Sequence, residues 1–205
     1  SCIIKRDILW IFLFLIKYSA LTLLIIGSLL LTACAGEAIK YNHYLLRSDV
    51  PMDTTRQMNA DGILLTHVGV ATYLNEPGLV LETSDGQITT AELNLWAEPL
   101  RHSLHKFLAD EITTASGKDI YTSRNGLSNA AAQLSIQVDQ LHGTKDGQAI
   151  LVASWAVDNL TDGKKVKTAY QFSQKTALQT DGYDALVASE KQLLQALAKE
   201  IAKTL

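Results

Sequence analysis

Between Gln133 and Ala177 lie three successive strand-like runs, the first and third with apolar and polar positions changing places at a period of two. Leu134, Ile136 and Val138 alternate with Ser135, Gln137 and Asp139, which predicts a strand with one buried and one wet face. From Ala149 to Val157 both alternations are apolar, the pattern of a central strand covered on both sides. Val166, Thr168, Tyr170 and Phe172 then alternate with Lys165, Lys167, Ala169 and Gln171. The tight turns Lys145-Asp146-Gly147 and Asp162-Gly163 separate the runs, so the stretch predicts an antiparallel three-stranded meander.

Upstream the pattern is less regular. Tyr41 to Leu46 reads as a short strand and Arg47 to Asp61 as a polar loop, broken by Pro51, Asn59, Asp61 and Gly62. Ile63 to Leu74 is apolar and β-branched on both alternations, a strand that ends in the turn Asn75-Glu76-Pro77-Gly78. Leu79 to Thr83 and Ile88 to Leu93 pair across Ser84-Asp85-Gly86 as a hairpin. The period then lengthens to that of a helix: Trp96, Leu100, Leu104, Phe107, Leu108 and Ile112 recur every three or four residues. Pro99 falls in that helix's first turn, where a missing N–H costs little, and Ser116-Gly117 ends it. A short strand at Ile120 and Tyr121 and a polar loop from Thr122 to Asn129 precede the meander.

A second long helix closes the chain. Asp181 is placed to cap it, and Tyr183, Leu186, Val187, Leu193, Leu194, Leu197 and Ile201 form its apolar stripe. Glu190 falls near the edge of the stripe, where a carboxylate reaches water. The order predicts an α/β fold: a mixed sheet that contains the C-terminal meander, with two long amphipathic helices packed on it.

The first 33 residues differ in kind. Lys5 and Arg6 precede two apolar runs, Ile8 to Ile16 and Ala20 to Leu31, with only Lys17 between them. The second run has the length of a signal-peptide core. The two together are long enough to cross a bilayer, which takes about 20 apolar residues, so a retained anchor is the alternative. The run ends in Leu31-Thr32-Ala33-Cys34, which resembles the bacterial lipobox. That resemblance implies acylation of the Cys34 sulfur and cleavage before it. The expected division is a lipoprotein signal over 1–33, a lipidated tether over 34–40 and one domain over 41–205.

Removal of residues 1–33 leaves 172 residues, enough for one domain with a sizeable core. Three basic residues and one acid leave with it, so 15 basic residues face 20 acidic ones, a net charge of about −5. That balance argues against a nucleic-acid partner, which needs clustered Lys and Arg. Cys2 also leaves, so no intrachain disulfide can form and the fold must rest on its core. An acyl chain contributes about 0.8 kcal/mol per buried CH₂, and two or more chains on Cys34 anchor a protein stably.

Motifs of catalysis and metal binding are missing. There is no G-x-S-x-G serine, no G-x-G-x-x-G and no phosphate-binding loop followed by lysine. His102 and His105 stand three apart on the first helix with no third ligand placed near them, and a solvated pair is the better account. The chain is expected to need no cofactor beyond the lipid on Cys34, and not to be an enzyme.

Several segments carry a resemblance to a known family. Tyr73-Leu74-Asn75-Glu76-Pro77-Gly78-Leu79-Val80, Thr83-Ser84-Asp85, Asn94-Leu95-Trp96-Ala97-Glu98-Pro99-Leu100 and Gln179-Thr180-Asp181-Gly182-Tyr183-Asp184 occur in that order. With Tyr44-Leu45-Leu46, they resemble the ABC-type transport auxiliary lipoproteins, and among these the PqiC-like lipoproteins of Gram-negative intermembrane transport. Ala71-Thr72 departs from the family, which often has proline there. The resemblance implies a periplasmic domain tethered to the outer membrane, since Ala35 is not the aspartate that favours inner-membrane retention. It implies a non-enzymatic subunit of a lipid-transport system that docks a periplasm-spanning MCE-domain protein, itself tied to an inner-membrane transporter. A homo-oligomeric ring is a further implication.

Within that picture Trp96 and Leu100 belong to the core by their place on the apolar stripe, and Glu98 and Pro99 open the helix. Tyr73, Leu74, Pro77 and Leu79, on a turn between strands, are the candidates for contact with the partner. The alternative function is a free-standing lipoprotein that binds a lipid or small molecule in an apolar cavity.

Overall fold

Strand β6 (Ala132–Thr144) is the member from which the sheet branches. β7 (Gln148–Thr161) pairs antiparallel along one edge of β6, and β8 (Lys164–Ala177) pairs antiparallel with β7 from end to end. The other edge of β6 is shared. β2 (Ile63–Val70) runs parallel to its first half, from Ile63↔Ala132 to Val70↔Val138. β3 (Gly78–Ser84) takes up the second half through Leu81↔Gly143 and Glu82↔Thr144. β4 (Gln87–Trp96) pairs antiparallel with β3, β1 (Asn42–Tyr44) parallel with β4, and β5 (Ile120–Tyr121) parallel with β2. This computed structural model describes residues 38–49, 57–59, 61–125, 130–161 and 164–205, with side chains from 160 to 165 outside that description. Residues 41–205 form one compact unit.

Both helices pack on the same sheet face, α1 (Leu100–Ser116) against β2 and β5, α2 (Tyr183–Ala202) against β6, β7 and β8, and each against the other. The alternation in β6 explains why: Leu134, Ile136 and Val138 are buried beneath the helices while Gln133, Ser135 and Gln137 face away. A register shift between Val138 and Gln140 leaves Asp139 as an extra residue. That bulge returns Leu141 to the helix side, where it is buried opposite Leu151. Gly143 permits α2 to approach the sheet, since a Cβ there would lie 2.6 Å from Leu81 and 3.0 Å from a Leu186 methyl. Trp155 stacks on Tyr170 at 5.2 Å and donates its indole N–H to Thr204 Oγ1 at 3.0 Å, which pins the end of α2.

Five local expectations are corrected. Trp96 is the last residue of β4 and not the first of a helix, although it is buried in the core; Pro99 is the N-cap of α1, just before its first turn. The strand from Ile63 stops at Val70, and Thr72–Asn75 forms a single 3₁₀ turn. Asp181 does not cap α2: Gly182, at φ +106°, is the N-cap, with no side-chain cap bond. Glu190 does not reach water but is 2% exposed, under the sheet-facing side of α2. Ser116-Gly117 ends α1 as expected, with Gly117 left-handed at φ +70° and its N–H on Thr113 O.

Cys34, the signal segment and the Asp162-Gly163 turn lie outside the described residues, as do parts of the loops at 47–61 and 122–129. Among the described residues no helix is long and apolar enough to cross a membrane.

Candidate functional site

Side chains from three distant segments meet at the start of α2. The β1/β4 register sets Asn42 against Asn94 and Tyr44 against Trp96, so alternation aims Asn42, Tyr44 and Asn94 toward the helical side of the sheet. The Tyr44 phenol donates to Asp184 Oδ1 at 2.8 Å and lies 3.3 Å from Asn94 Oδ1, which accepts from Asn42 Nδ2 at 3.0 Å. Burial first, and then the Asp184 carboxylate, push the Tyr44 phenol up to about 12, so it stays a donor at neutral pH. Asp184 lies in the first turn of α2, where the helix dipole favours a carboxylate.

These residues line an open groove of about 550 Å³ together with Tyr41, His43, Asp181, Gly182 and Tyr183. The side chains that meet in it are the Asn42 and Asn94 amides, the Tyr44 phenol and the Asp184 carboxylate, and no Lys or Arg is among the lining residues. A groove of that lining can hydrogen-bond a neutral or cationic group and offers an acyl chain little apolar wall. Asp181 and Tyr183, singled out in sequence for their motif, thus belong to the groove wall.

A second polar cluster sits where β2 leaves the edge of β6 and β3 has not yet joined it. Tyr73, in the 3₁₀ turn, fills that gap: its hydroxyl accepts from the Leu141 N–H at 3.3 Å and lies 3.0 Å from His142 Nδ1. The Tyr73 proton is then free to point at Nδ1, which assigns the His142 hydrogen to Nε2, 3.7 Å from Glu82 Oε2. Burial lowers the His142 pKa below its usual 6.5, so the ring is neutral at pH 7 and suits this role. Burial also raises Tyr73, with Glu190, Glu82 and Asp139 adding to the effect. Glu190 is wholly enclosed, its Oε2 meets no hydrogen-bond partner, and its carboxyl is pushed up to about 8 by desolvation. It is therefore largely protonated at neutral pH.

Of the four partner-contact candidates, the structure separates two from two. Leu74 and Leu79 are buried in the core, because the 3₁₀ turn folds Leu74 inward and Leu79 sits at the start of a covered strand; neither is accessible to a partner. Tyr73 is half-buried by its bonds to β6, and Pro77 is exposed. Trp96 and Leu100 are buried core residues. Glu98 accepts a hydrogen bond from Ser103 Oγ at 2.9 Å and braces the first turn of α1. The sequence reading missed Asn42, Asn94, Asp184, Glu82 and His142, whose contacts span 50 to 140 residues or cross a bulge. Of these, Asn94 and Asp184 lay inside quoted motifs.

Comparison with known proteins gives the geometry a context. The sequence model of a family described as the ABC-type transport auxiliary lipoprotein component matches residues 44–202. The intermembrane transport lipoprotein PqiC of Escherichia coli K12 is 30% identical over 169 residues, covering 80% of this chain and 86% of that protein; PqiC of Shigella flexneri gives the same figures. A crystal structure of an uncharacterised protein superposes with a TM-score of 0.64 at 26% identity, over 80% of this chain and 98% of the other. A Xanthomonas campestris protein of the DUF330 family superposes at 0.61 and 16% identity, over 78% and 92%, and shares the fold.

Proposed function

Because the chain belongs to the ABC-type transport auxiliary lipoprotein family, we propose that it is the outer-membrane-anchored subunit of an MCE/ABC-type intermembrane lipid transport system. Residues 1–33 are its lipoprotein signal, Cys34 carries the acyl chains and residues 41–205 face the periplasm. The domain docks the far end of a periplasm-spanning MCE-domain protein, whose near end joins an inner-membrane transporter, and it does so as a homo-oligomeric ring. It acts by holding partners and supports envelope integrity without catalysing a reaction.

One observation carries this reading: the family match runs from residue 44 to residue 202, essentially the whole folded unit, and begins ten residues after a lipobox-like cysteine. The groove is where side chains from three of the family-like segments, those of Tyr44, Asn94 and Asp184, converge. Pro77 and the exposed part of Tyr73 are the partner-facing atoms of the turn, now without Leu74 and Leu79.

Separation of inner and outer membranes on a density gradient tests the placement. The wild-type chain is expected in the outer-membrane fraction with an acylated N-terminal cysteine by mass spectrometry, and Cys34→Ala, neither acylated nor cut, in the inner-membrane fraction through its retained apolar segment. An unmodified Cys34, or residence of the wild-type chain in the inner membrane, contradicts the proposal.

A further inference from the structure

The sheet face turned away from the helices is not uniform. Over β6, β7 and β8 it carries Gln137, Ser154, Gln171 and Ser173, a polar surface. Over β1 and β4 it is apolar. Tyr41, His43 and Leu45 alternate with Asn42 and Tyr44, and His43 pairs with Leu95, so their side chains fall on the outer side of β1 while Tyr41 and His43 also border the groove. Tyr41 is 53% exposed, Leu45 49% and Leu93 40%, and the Tyr41 and His43 rings lie 6.5 Å apart. Large apolar side chains left in water this close together mark a contact surface. The stripe is bracketed in sequence by two exposed cations, Lys40 and Arg47.

Covalent reach says what this face meets. Asn42 follows Cys34 by eight residues, which span at most about 28 Å when fully extended. Whatever holds Cys34 therefore keeps β1 within that distance of itself. We propose that the outward face of the β1–β4 pair is a membrane-contacting surface that rests on the phospholipid leaflet carrying the Cys34 anchor. The inference depends on the lipoprotein reading above. Tyr41 and His43 present an apolar body and a polar tip, as side chains at a headgroup boundary do. Lys40 and Arg47 bury their stems and leave the charge at the phosphates. The groove that Tyr41 and His43 border is then held close to the membrane as well.

The test uses the full lipidated chain in vesicles of phosphatidylethanolamine and phosphatidylglycerol. Bimane is attached through His43→Cys, through Leu45→Cys as a second position, and through Gln171→Cys as a control on the polar part of the same face. Nitroxide-labelled lipid is expected to quench the labels at 43 and 45 at least twofold more than the label at 171. Equal quenching at all three, with Cys34 shown by mass spectrometry to be acylated, overturns the membrane surface and leaves the anchor standing. An unacylated Cys34 overturns both. Shielding of position 43 from aqueous iodide that grows with protein density, without lipid quenching, overturns the proposal in favour of a second copy on this face.

Discussion

The Tyr44 phenol and the Asp184 carboxylate lie 2.8 Å apart across 140 residues of chain. That bond closes the first strand of the domain onto the first turn of its last helix, so the two ends of the folded unit are fastened at one groove. A three-residue edge strand has few backbone bonds of its own to hold it. Its place depends on Tyr44 and on the Asn42–Asn94 pair.

Tyr44→Phe and Asp184→Asn are each expected to cost on the order of 1 kcal/mol in urea unfolding, as the loss of one exposed charge-assisted bond does. The double variant should cost little more than either single one, because both remove the same interaction. Since the folded phenol is held near 12, against 10 in the unfolded chain, its contribution is fully present below pH 10 and is lost as pH rises through about 12. Tyr44→Phe should flatten the alkaline limb of stability in that window.

Glu190 gives the opposite of a carboxylate in an ion pair. Its folded value of about 8 exceeds the ordinary 4.5, so its contribution is complete below pH 4.5 and disappears as pH rises through about 8. At roughly 1.4 kcal/mol for each tenfold change in proton affinity, Glu190→Gln should leave stability unchanged near pH 4 and raise it at pH 9. Melting temperatures across that range check it; a variant less stable than wild type at pH 9 would falsify the buried, unpartnered carboxyl.

Tyr73→Phe should cost about 1 to 3 kcal/mol, because the Leu141 N–H loses its acceptor and His142 Nδ1 its donor in a buried setting. His142 binds its proton less readily folded than unfolded, so its contribution is present above pH 6.5 and falls as the medium is acidified. Proton NMR of the His142 ring should show a titration midpoint below 6.5 in the wild type.

Leu79→Ala should cost 2 to 5 kcal/mol, the usual range for a leucine removed from a close-packed core, whereas Pro77→Ser should leave stability nearly unchanged. Chemical unfolding of the two variants distinguishes them. Any loss of partner binding by Leu79→Ala would follow its loss of fold, so binding is better probed at Pro77.

β6 was legible because one face is buried, so polarity repeats every two residues, while β7, apolar on both alternations, and β8, with Tyr170 and Phe172 only half-buried, were marked off by the turn residues between them. Trp96 misled because it stands four residues before Leu100, a helical spacing produced here by a strand end and a helix start joined through Pro99. Glu190 shows the converse. It lies four residues from both Leu186 and Leu194, squarely on the buried stripe, and only its carboxyl argued for water. The groove had no local signal, since Tyr44 and Asp184 meet only when the sheet and α2 are assembled. The Tyr73–Leu141 bond likewise depends on the gap between β2 and β3 along β6, a feature of topology that no single segment encodes.

Native purification from envelopes through a C-terminal tag, with and without Cys34→Ala, tests the central claim most directly. The account predicts that the acylated wild-type chain brings down an MCE-domain protein and its inner-membrane transporter subunits, and that Pro77 bearing a photo-crosslinker forms an adduct with the MCE-domain protein. An acylated, folded chain that recovers no component of an envelope transport system would contradict it.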